Sequence, residues 1–395
     1  MEAFEFYSPT YIIFGPDKES QVGRQAARWG AHRVLVVYGG QSAVKSGLLS
    51  RVLDSLAQAG LACETLGGVR PNPYLSLARQ GVEKALAFQA DFVLAVGGGS
   101  VIDTAKAIAD GAASPGTDLW DLWERRVPLS ASLPLGVVLT ISASGSESSD
   151  SAVLTNDQTM VKRGLSSPFH RPRFAILNPQ LTTTLPPYQV ACGVVDIMMH
   201  TLDRYFNPIT TNELTDEIAQ GLLRTVIRNG PPAVKDPKNY HAMSELMWAG
   251  SLSHNDLTGL GGRSDFAPHQ LGHELSAMFD VAHGASLSAI WDSWARYCMK
   301  TNPARFAQLG TQVWGLDGTG KGEEELALEA IQATAGFFRS IHMPTCFSQL
   351  ACGVQTEDTL EELAHRCTFQ GKRTIGSFQV LDYPDILAIY RLANH

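Results

Sequence analysis

The sequence predicts an α/β domain on a parallel sheet over residues 1–185, followed by an all-helical domain over residues 186–395. Three observations carry this. Short β-branched runs alternate with helical periods through the first half, the order that builds a parallel sheet. Those runs are continuously apolar, as strands buried on both faces are. Beyond the turn-rich Thr182-Thr183-Thr184-Leu185-Pro186-Pro187 the β-branched runs thin out and helical periods take over. A chain of 395 residues is also too long for one small core.

Taken in order, Tyr11-Ile12-Ile13-Phe14 reads as an opening strand closed by Gly15. Residues 21–29 are helical and end at Gly30. Arg33 to Tyr38 is the clearest strand, stopped by Gly39-Gly40. A helix over 48–59 ends at Gly60, a residue suited to the position just past a helix. Another spans 75–88, with Leu75, Val82 and Leu86 spaced for one buried stripe. Asp91 to Val96 is a further buried strand that feeds Gly97-Gly98-Gly99-Ser100 and a helix over 101–110. Strands over 135–140 and 174–177 complete a doubly wound, Rossmann-like domain. The second half carries helical periods over 213–226, 240–255, 269–279, 286–297, 303–313 and 324–340.

Composition removes several function classes. A net charge of −8 argues against nucleic acid or an anionic membrane as partner. No run of eighteen apolar residues is present, so no membrane span is expected. The first residues carry acids and no basic-then-apolar signal, which makes the cytoplasm the expected compartment. The cysteines Cys63, Cys192, Cys298, Cys346, Cys352 and Cys367 are scattered and read as buried, reduced thiols.

The chemistry gathers in the second half. Asp196 and His200 are four apart, as are His269 and His273, so on a helix each pair shares a face. With His283, ten residues on, Asp196, His200 and His269 make a mixed oxygen and nitrogen set for a divalent transition metal. Their neighbours are mostly apolar or helix-favouring, and burying four polar groups there is costly unless an ion satisfies them. His273, one turn past His269, would be pushed toward its neutral form by a bound cation and could accept or relay a proton. Upstream, Gly97 to Ser100 lie between a buried strand and a helix. Glycine lets backbone N–H groups approach a ligand, and the helix start suits a pyrophosphate.

The composite pattern resembles the iron-containing (group III) alcohol dehydrogenases. The carriers are Asp-x3-His followed by His-x3-His-x9-His, then Pro71-Asn72-Pro73, Gly97-Gly98-Gly99-Ser100 with Asp103, and Gly145-Ser146-Glu147. Within that family it is most similar to NADPH-dependent butanol dehydrogenases and broad-range aldehyde reductases, through Tyr38-Gly39-Gly40, Leu271 to Leu275 and Asn229-Gly230-Pro231. The resemblance implies hydride transfer between a nicotinamide dinucleotide and a small aldehyde or alcohol, at a site in the cleft between the two domains. It also implies that Gly97, Gly98, Gly99 and Ser100 hold the dinucleotide and that Asp103 lies near the nicotinamide. Thr140, Ser144 and Lys162 are implied as further cofactor contacts, His273 as a neighbour of nicotinamide and substrate, and a homodimer as the assembly.

Cofactor choice has its own signal. An NAD-selective site commonly sets a carboxylate near the adenosine ribose. After Tyr38 the chain has Gly39-Gly40-Gln41-Ser42 without an acid, and Lys45 follows, which favours NADP(H). The metal is left between Fe2+ and Zn2+. Met198, Met199, Phe266 and Phe279 point to an apolar pocket. The other readings are a glycerol dehydrogenase-like polyol oxidoreductase and a non-catalytic metal- or nucleotide-binding protein. His32, His170, His241, His254, His342, His365 and His395 have no partner spacing and read as surface or satisfied residues; Trp120 and Trp123 read as core or interface.

Overall fold

The structure is a computed structural model that describes residues 1–209 and 211–395. Its contacts divide into two units, residues 7–184 and residues 1–6 with 185–395.

The α/β unit runs β1 (Tyr11–Phe14), α1 (Val22–Arg28), β2 (Arg33–Tyr38), α2 (Gln41–Lys45), α3 (Leu48–Gln58), β3 (Ala62–Leu66), α4 (Leu75–Phe88) and β4 (Phe92–Gly97). It continues with α5 (Gly99–Ala113), α6 (Leu119–Trp123), β5 (Leu135–Leu139), β6 (Ser151–Asn156), β7 (Val161–Ser166) and β8 (Phe174–Leu177). Six strands form one parallel sheet in the order β1-β8-β5-β4-β2-β3, while β6 and β7 pair as a separate antiparallel hairpin. From β2 the chain steps outward to β3, then returns to place β4 on the other flank of β2. The topological switch therefore lies between β2 and β4, and beyond the carboxyl ends of such strands is where open α/β sheets take ligands. Strand β4 is buried at every position.

Two local differences from the sequence reading have physical causes. Strand β3 was not anticipated because Ala62-Cys63-Glu64-Thr65-Leu66 is a half-exposed edge with no apolar run. On α4 the buried stripe is Leu75, Ala78, Gly81 and Ala85, and Leu86 is 44% exposed. The stripe is centred on small residues because α4 lies close on α5: a Cβ on Gly81 would sit 2.5 Å from Ile108 Cγ1. Trp120 and Trp123 are core, as expected, buried on α6 with Leu75, Ala78 and Leu154.

The helical unit comprises α7 (Pro187–Tyr205), α8 (Glu213–Lys235), α9 (Tyr240–Ser253), α10 (Ala267–Phe279), α11 (His283–Cys298), α12 (Pro303–Gln312), α13 (Glu323–Ser340), α14 (Glu357–Cys367) and α15 (Tyr383–Ala393). Helix α8 runs nine residues beyond its expected end at 226, through Pro231-Pro232. Gly230 lets that turn press against Val194 and Phe337, and tertiary packing overrides the local breaker. Helices α14 and α15 were not anticipated; each starts on a side-chain cap, Thr356 and Asp382, the latter in a reciprocal box with Asp385. The first residues join this unit: the Met1 ammonium donates to Thr211 Oγ1 at 2.7 Å, and Glu2 pairs with Arg263 at 2.9 Å. All six cysteines are free. No helix among the described residues is long and apolar enough to cross a membrane.

Candidate active site

Helix α7 carries Asp196 and His200 one turn apart, α10 carries His269, and His283 is the first residue of α11. Their polar atoms converge. His200 Nδ1, His269 Nε2 and His283 Nε2 lie 3.4, 3.6 and 3.7 Å from one oxygen, Asp196 Oδ1. Asp196, His200 and His269 are each only 4% exposed, and their candidate ligand atoms all lie within 4.8 Å of one another. Asp196 Oδ1, His200 Nδ1 and His269 Nε2 are buried without a hydrogen-bond partner among the described residues. Buried polar atoms of that kind are costly, and an ion at their centre removes the cost. Metal bonds of about 2.1 Å at tetrahedral angles place neighbouring ligand atoms about 3.4 Å apart. The side chains fit a divalent metal.

Two glycines bring the helices close enough for this. A Cβ on Gly284, the residue after His283, would overlap the Cys192 carbonyl oxygen on α7 and stand 2.6 Å from Cys192 Cα. A Cβ on Gly272, between His269 and His273, would stand 2.9 Å from Ser286 Oγ on α11. Ahead of α10, Asp265 accepts from the backbone N–H groups of Ala267, Ser377 and Phe378 at 2.8–2.9 Å and so fixes the segment that leads to His269. Burial, with Asp203 nearby, pushes the Asp265 carboxyl up to about 7.

The electrostatics favour a cation at the cluster. Asp203 Oδ2 lies 2.6 Å from His269 Nδ1, orienting the ring so that Nε2 faces Asp196. Burial opposes charge on His269, yet Asp203 and Asp196 outweigh it and hold that imidazole up to about 9. His200 is instead driven well below its ordinary value, chiefly by burial and then by the neighbouring His254 and His269. The sequence reading overlooked Asp203, although it lies seven residues past Asp196 on the same helical face.

His273 is brought to the cluster, its ring centroid 5.2 Å from that of His283 and 6.3 Å from that of His269. His254 was read as a surface or satisfied residue, but its ring lies 4.0 Å from that of His200. It comes from the end of α9, more than fifty residues away in sequence, and no spacing pattern signals it. Met198 and Met199 are packed in the helical core, and Phe266 contacts the histidine rings.

In the α/β unit the glycine-rich segments meet at the strand ends. Tyr38 pairs with Val96, so the Gly39-Gly40 turn after β2 lies beside the end of β4. Gly97 is the last residue of β4, Gly98 caps α5 and Gly99 begins it, so these glycines straddle strand, cap and helix with no side-chain cap. The free N–H groups of that first turn suit a pyrophosphate. Thr140 N donates to Gly97 O at 3.0 Å, and Ser144 Oγ packs on Gly99 so closely that a Cβ there would overlap it. Gly39, Gly97–Ser100, Thr140 and Ser144 are thereby gathered along β2, β4 and β5. Ser42 and Lys45 are exposed on α2.

Lys162 and Asp103, the remaining expected cofactor contacts, are held by their own hydrogen bonds. Lys162 Nζ donates to Asn72 Oδ1 at 3.1 Å, tying the β6–β7 hairpin to Pro71-Asn72-Pro73. Asp103 accepts from Ser146 Oγ at 2.7 Å and from Val153 N at 3.0 Å. Beside it the buried Lys106 ammonium donates to Ser146 O, Ser146 Oγ, Ser149 O and Ser151 O at 2.7–3.0 Å, and burial pulls it down to about 8. Together they fasten the 144–151 loop to α5. A lone lysine inside Ala105-Lys106-Ala107-Ile108 was the available signal, and the sequence reading passed over it.

The comparisons with known proteins agree across the chain. The family model for iron-containing alcohol dehydrogenase matches residues 9–179, and the model for the C-terminal part of the Fe-containing alcohol dehydrogenase family matches residues 190–394. The chain is 36% identical to the NADH-dependent butanol dehydrogenase A of Clostridium acetobutylicum, over 99% of each chain. It is 37% identical to the NADPH-dependent aldehyde reductase YqhD of Escherichia coli, over 88% of this chain and 89% of that one. Among solved structures, NADH-dependent butanol dehydrogenase A from Thermotoga maritima superimposes with a TM-score of 0.95 at 33% identity, covering 100% of this chain and 99% of that one.

Proposed function

The chain belongs to the iron-containing alcohol dehydrogenase family, and from that premise we propose that it reduces small aldehydes to primary alcohols with NADPH as hydride donor. Family membership makes it an alcohol and aldehyde oxidoreductase that uses a nicotinamide cofactor and a metal. The observation that supports its metal dependence is the convergence of three imidazole nitrogens on Asp196 Oδ1 in an apolar core.

Asp196, His200, His269 and His283 hold the ion in this reading, three nitrogens and one oxygen that suit iron(II) or zinc. When bound, a divalent metal supplies Lewis acidity toward a carbonyl oxygen, and a reduced nicotinamide supplies the hydride. The rest falls to the chain's own groups. Asp203 keeps His269 aimed at Asp196. His273, beside His283 but offset from the convergence on Asp196, is the group we assign to pass a proton between the substrate oxygen and water. Gly97, Gly98, Gly99 and Ser100 receive the pyrophosphate on the first turn of α5, with Thr140 and Ser144 alongside. Asp103, near the nicotinamide, and Lys162 complete the cofactor contacts in this reading, Asp103 held by Ser146 Oγ and Val153 N and Lys162 by Asn72 Oδ1.

The preference for NADPH is supported by the Gly39-Gly40-Gln41-Ser42 turn. It carries no carboxylate to repel a 2′-phosphate, and a Cβ on Gly40 would meet nothing within 4 Å, so the space is open. A homodimer is supported by β1, an edge strand whose Tyr11 and Phe14 are exposed and whose outer backbone groups are available for pairing across a twofold axis.

One assay tests the reading: NADPH oxidation, followed by absorbance, on adding butanal to metal-replete protein. Turnover faster with NADPH than with NADH is expected. Turnover only with a diol, or with NADH alone, would replace the proposed substrate or cofactor.

A further inference from the structure

His254 belongs to none of the recognised motifs, yet it forms part of the wall around the metal cluster. It follows the last residue of α9, and its ring lies 4.0 Å from the ring of His200, centroid to centroid, at a tilt of 42°. Among the described residues the other histidine contacts of the cluster are wider, at 4.5 Å for His200 with His269 and 5.4 Å for His269 with His283.

The placement is built into the fold. Arg204, one turn past His200 on α7, donates from Nη1 to the His200 carbonyl oxygen at 2.9 Å and holds Nη2 3.4 Å from Asp256 Oδ1. That links the helix bearing His200 to the segment bearing His254. Asn255 Oδ1 accepts from Leu257 N at 3.1 Å, and Asp256 adopts a left-handed conformation with φ 76°, a strain of about 1–3 kcal/mol that surrounding contacts must sustain. A Cβ on Gly259 would stand 3.1 Å from Arg204 Cδ and Cγ, so the same segment presses on the arginine stem. The Arg204 guanidinium lies 4.8 Å over the ring of Phe266, which is 6.3 Å from His254 and 5.3 Å from His269.

Metal-ligating imidazoles need their rings fixed, because the terminal torsion of histidine is broad and a ligand lone pair must be aimed. His269 has Asp203 for this purpose. His200 turns Nδ1 toward Asp196 Oδ1, 3.4 Å away, and the ring packed nearest to it among the described residues is that of His254.

We propose that His254 is a positioning residue of the metal centre, its ring packed against His200 to hold that imidazole where a bound ion requires it. The proposal rests on reading Asp196, His200, His269 and His283 as the metal ligands. Its consequence is tighter retention of the ion, by contact and without a bond from His254 to the metal.

The test is metal retention, read independently of turnover. Purified metal-replete protein is titrated with a competing chelator, and the ion left on the protein is measured by elemental analysis. The visible absorption of the cobalt(II)-substituted protein reports the coordination geometry. His254→Ala is expected to bind the ion about 10- to 100-fold more weakly, the usual cost of removing a group that orients a ligand. His254→Phe keeps a ring and has no nitrogen, and it is expected to stay within a few-fold of wild type with an unchanged cobalt spectrum. Wild-type retention in His254→Ala would overturn the proposal. So would a His254→Phe as weak as His254→Ala, since a nitrogen would then be required. Wild-type protein that takes up no metal, or a His200→Ala variant that keeps it fully, would instead overturn the ligand reading beneath.

Discussion

In the helical unit three imidazoles from α7, α10 and α11 turn nitrogens toward one carboxylate oxygen of Asp196 inside an apolar core. In the α/β unit the ends of β2, β4 and β5 present glycines, a helix start and two small hydroxyl side chains. The first arrangement is expensive without its ion, because Asp196 Oδ1, His200 Nδ1 and His269 Nε2 are buried with no hydrogen-bond partner among the described residues. The second costs little without its dinucleotide, because helix-start N–H groups and an open turn are satisfied by water. In the proposed reading one unit therefore binds by relieving a strain it carries, the other by offering a surface. Substitutions in the helical unit should strike metal content, and those in the α/β unit should strike cofactor preference.

The strongest break of that contrast is His269→Ala. It removes a donor that Asp203 and Asp196 both address, and the ion should be lost with it. Lewis-acid help is worth several kcal/mol, so aldehyde reduction should fall on the order of 10³-fold or more. Dinucleotide affinity, measured by fluorescence titration, should stay close to wild type. Stoichiometric metal in the variant would show that the cluster is not the site.

Next comes His273→Ala, which separates proton handling from metal binding within one unit. Metal content should be unchanged, and turnover should drop about 10²-fold, the lower end of the range for general acid–base groups, because water reaches the same oxygen. The pH profile of kcat should change shape. Identical profiles would make His273 a packing residue.

A paired substitution sharpens the comparison at the level of backbone. Gly284→Ala drives a methyl into Cys192 on α7, so it should cost about 1–3 kcal/mol of stability and weaken metal binding. Gly40→Ala meets nothing within 4 Å and should leave stability unchanged by thermal unfolding. Equal effects at the two glycines would mean that close packing of α11 on α7 does not set the cluster.

The same contrast explains what was legible in the sequence. Asp196, His200, His269 and His283 could be found because side-chain chemistry shows as residue type and helical spacing. The buried strands β2, β4 and β8 were legible as continuous β-branched runs. Strand β3 and the β6–β7 hairpin were not, since Glu64, Thr65, Lys162 and Arg163 carry no apolar pattern and take their structure from strand pairing. Asp203 and Lys106 were readable but overlooked. His254 was beyond sequence reasoning: tertiary contacts such as the tie between Arg204 and Asp256 bring that loop to α7.

Cofactor choice offers the smallest effect and the finest test of the α/β half. Gly39→Asp should move preference from NADPH toward NADH. The site has room, since a Cβ on Gly39 would meet Val69 O at 3.5 Å and Val101 Cγ2 at 3.6 Å, both ordinary contacts. The fold should therefore survive, and the change should act through charge. A carboxylate about 4 Å from a 2′-phosphate is repelled by roughly 4 kcal/mol at an effective dielectric near 20, and by roughly 1 kcal/mol in bulk water. Gly40 and Ser42 are exposed here, so the watery limit governs and about a fivefold shift is expected. NADH has no such phosphate, and its ribose hydroxyls can donate to the new carboxylate. The measurement is the ratio of kcat/KM for NADPH and NADH with one aldehyde, in wild type and variant, at low and high salt. Raising the salt should shrink the shift, since screening weakens an exposed pair of charges. A wild type that already prefers NADH, or a ratio the substitution leaves alone, would place selectivity elsewhere than in the turn after β2.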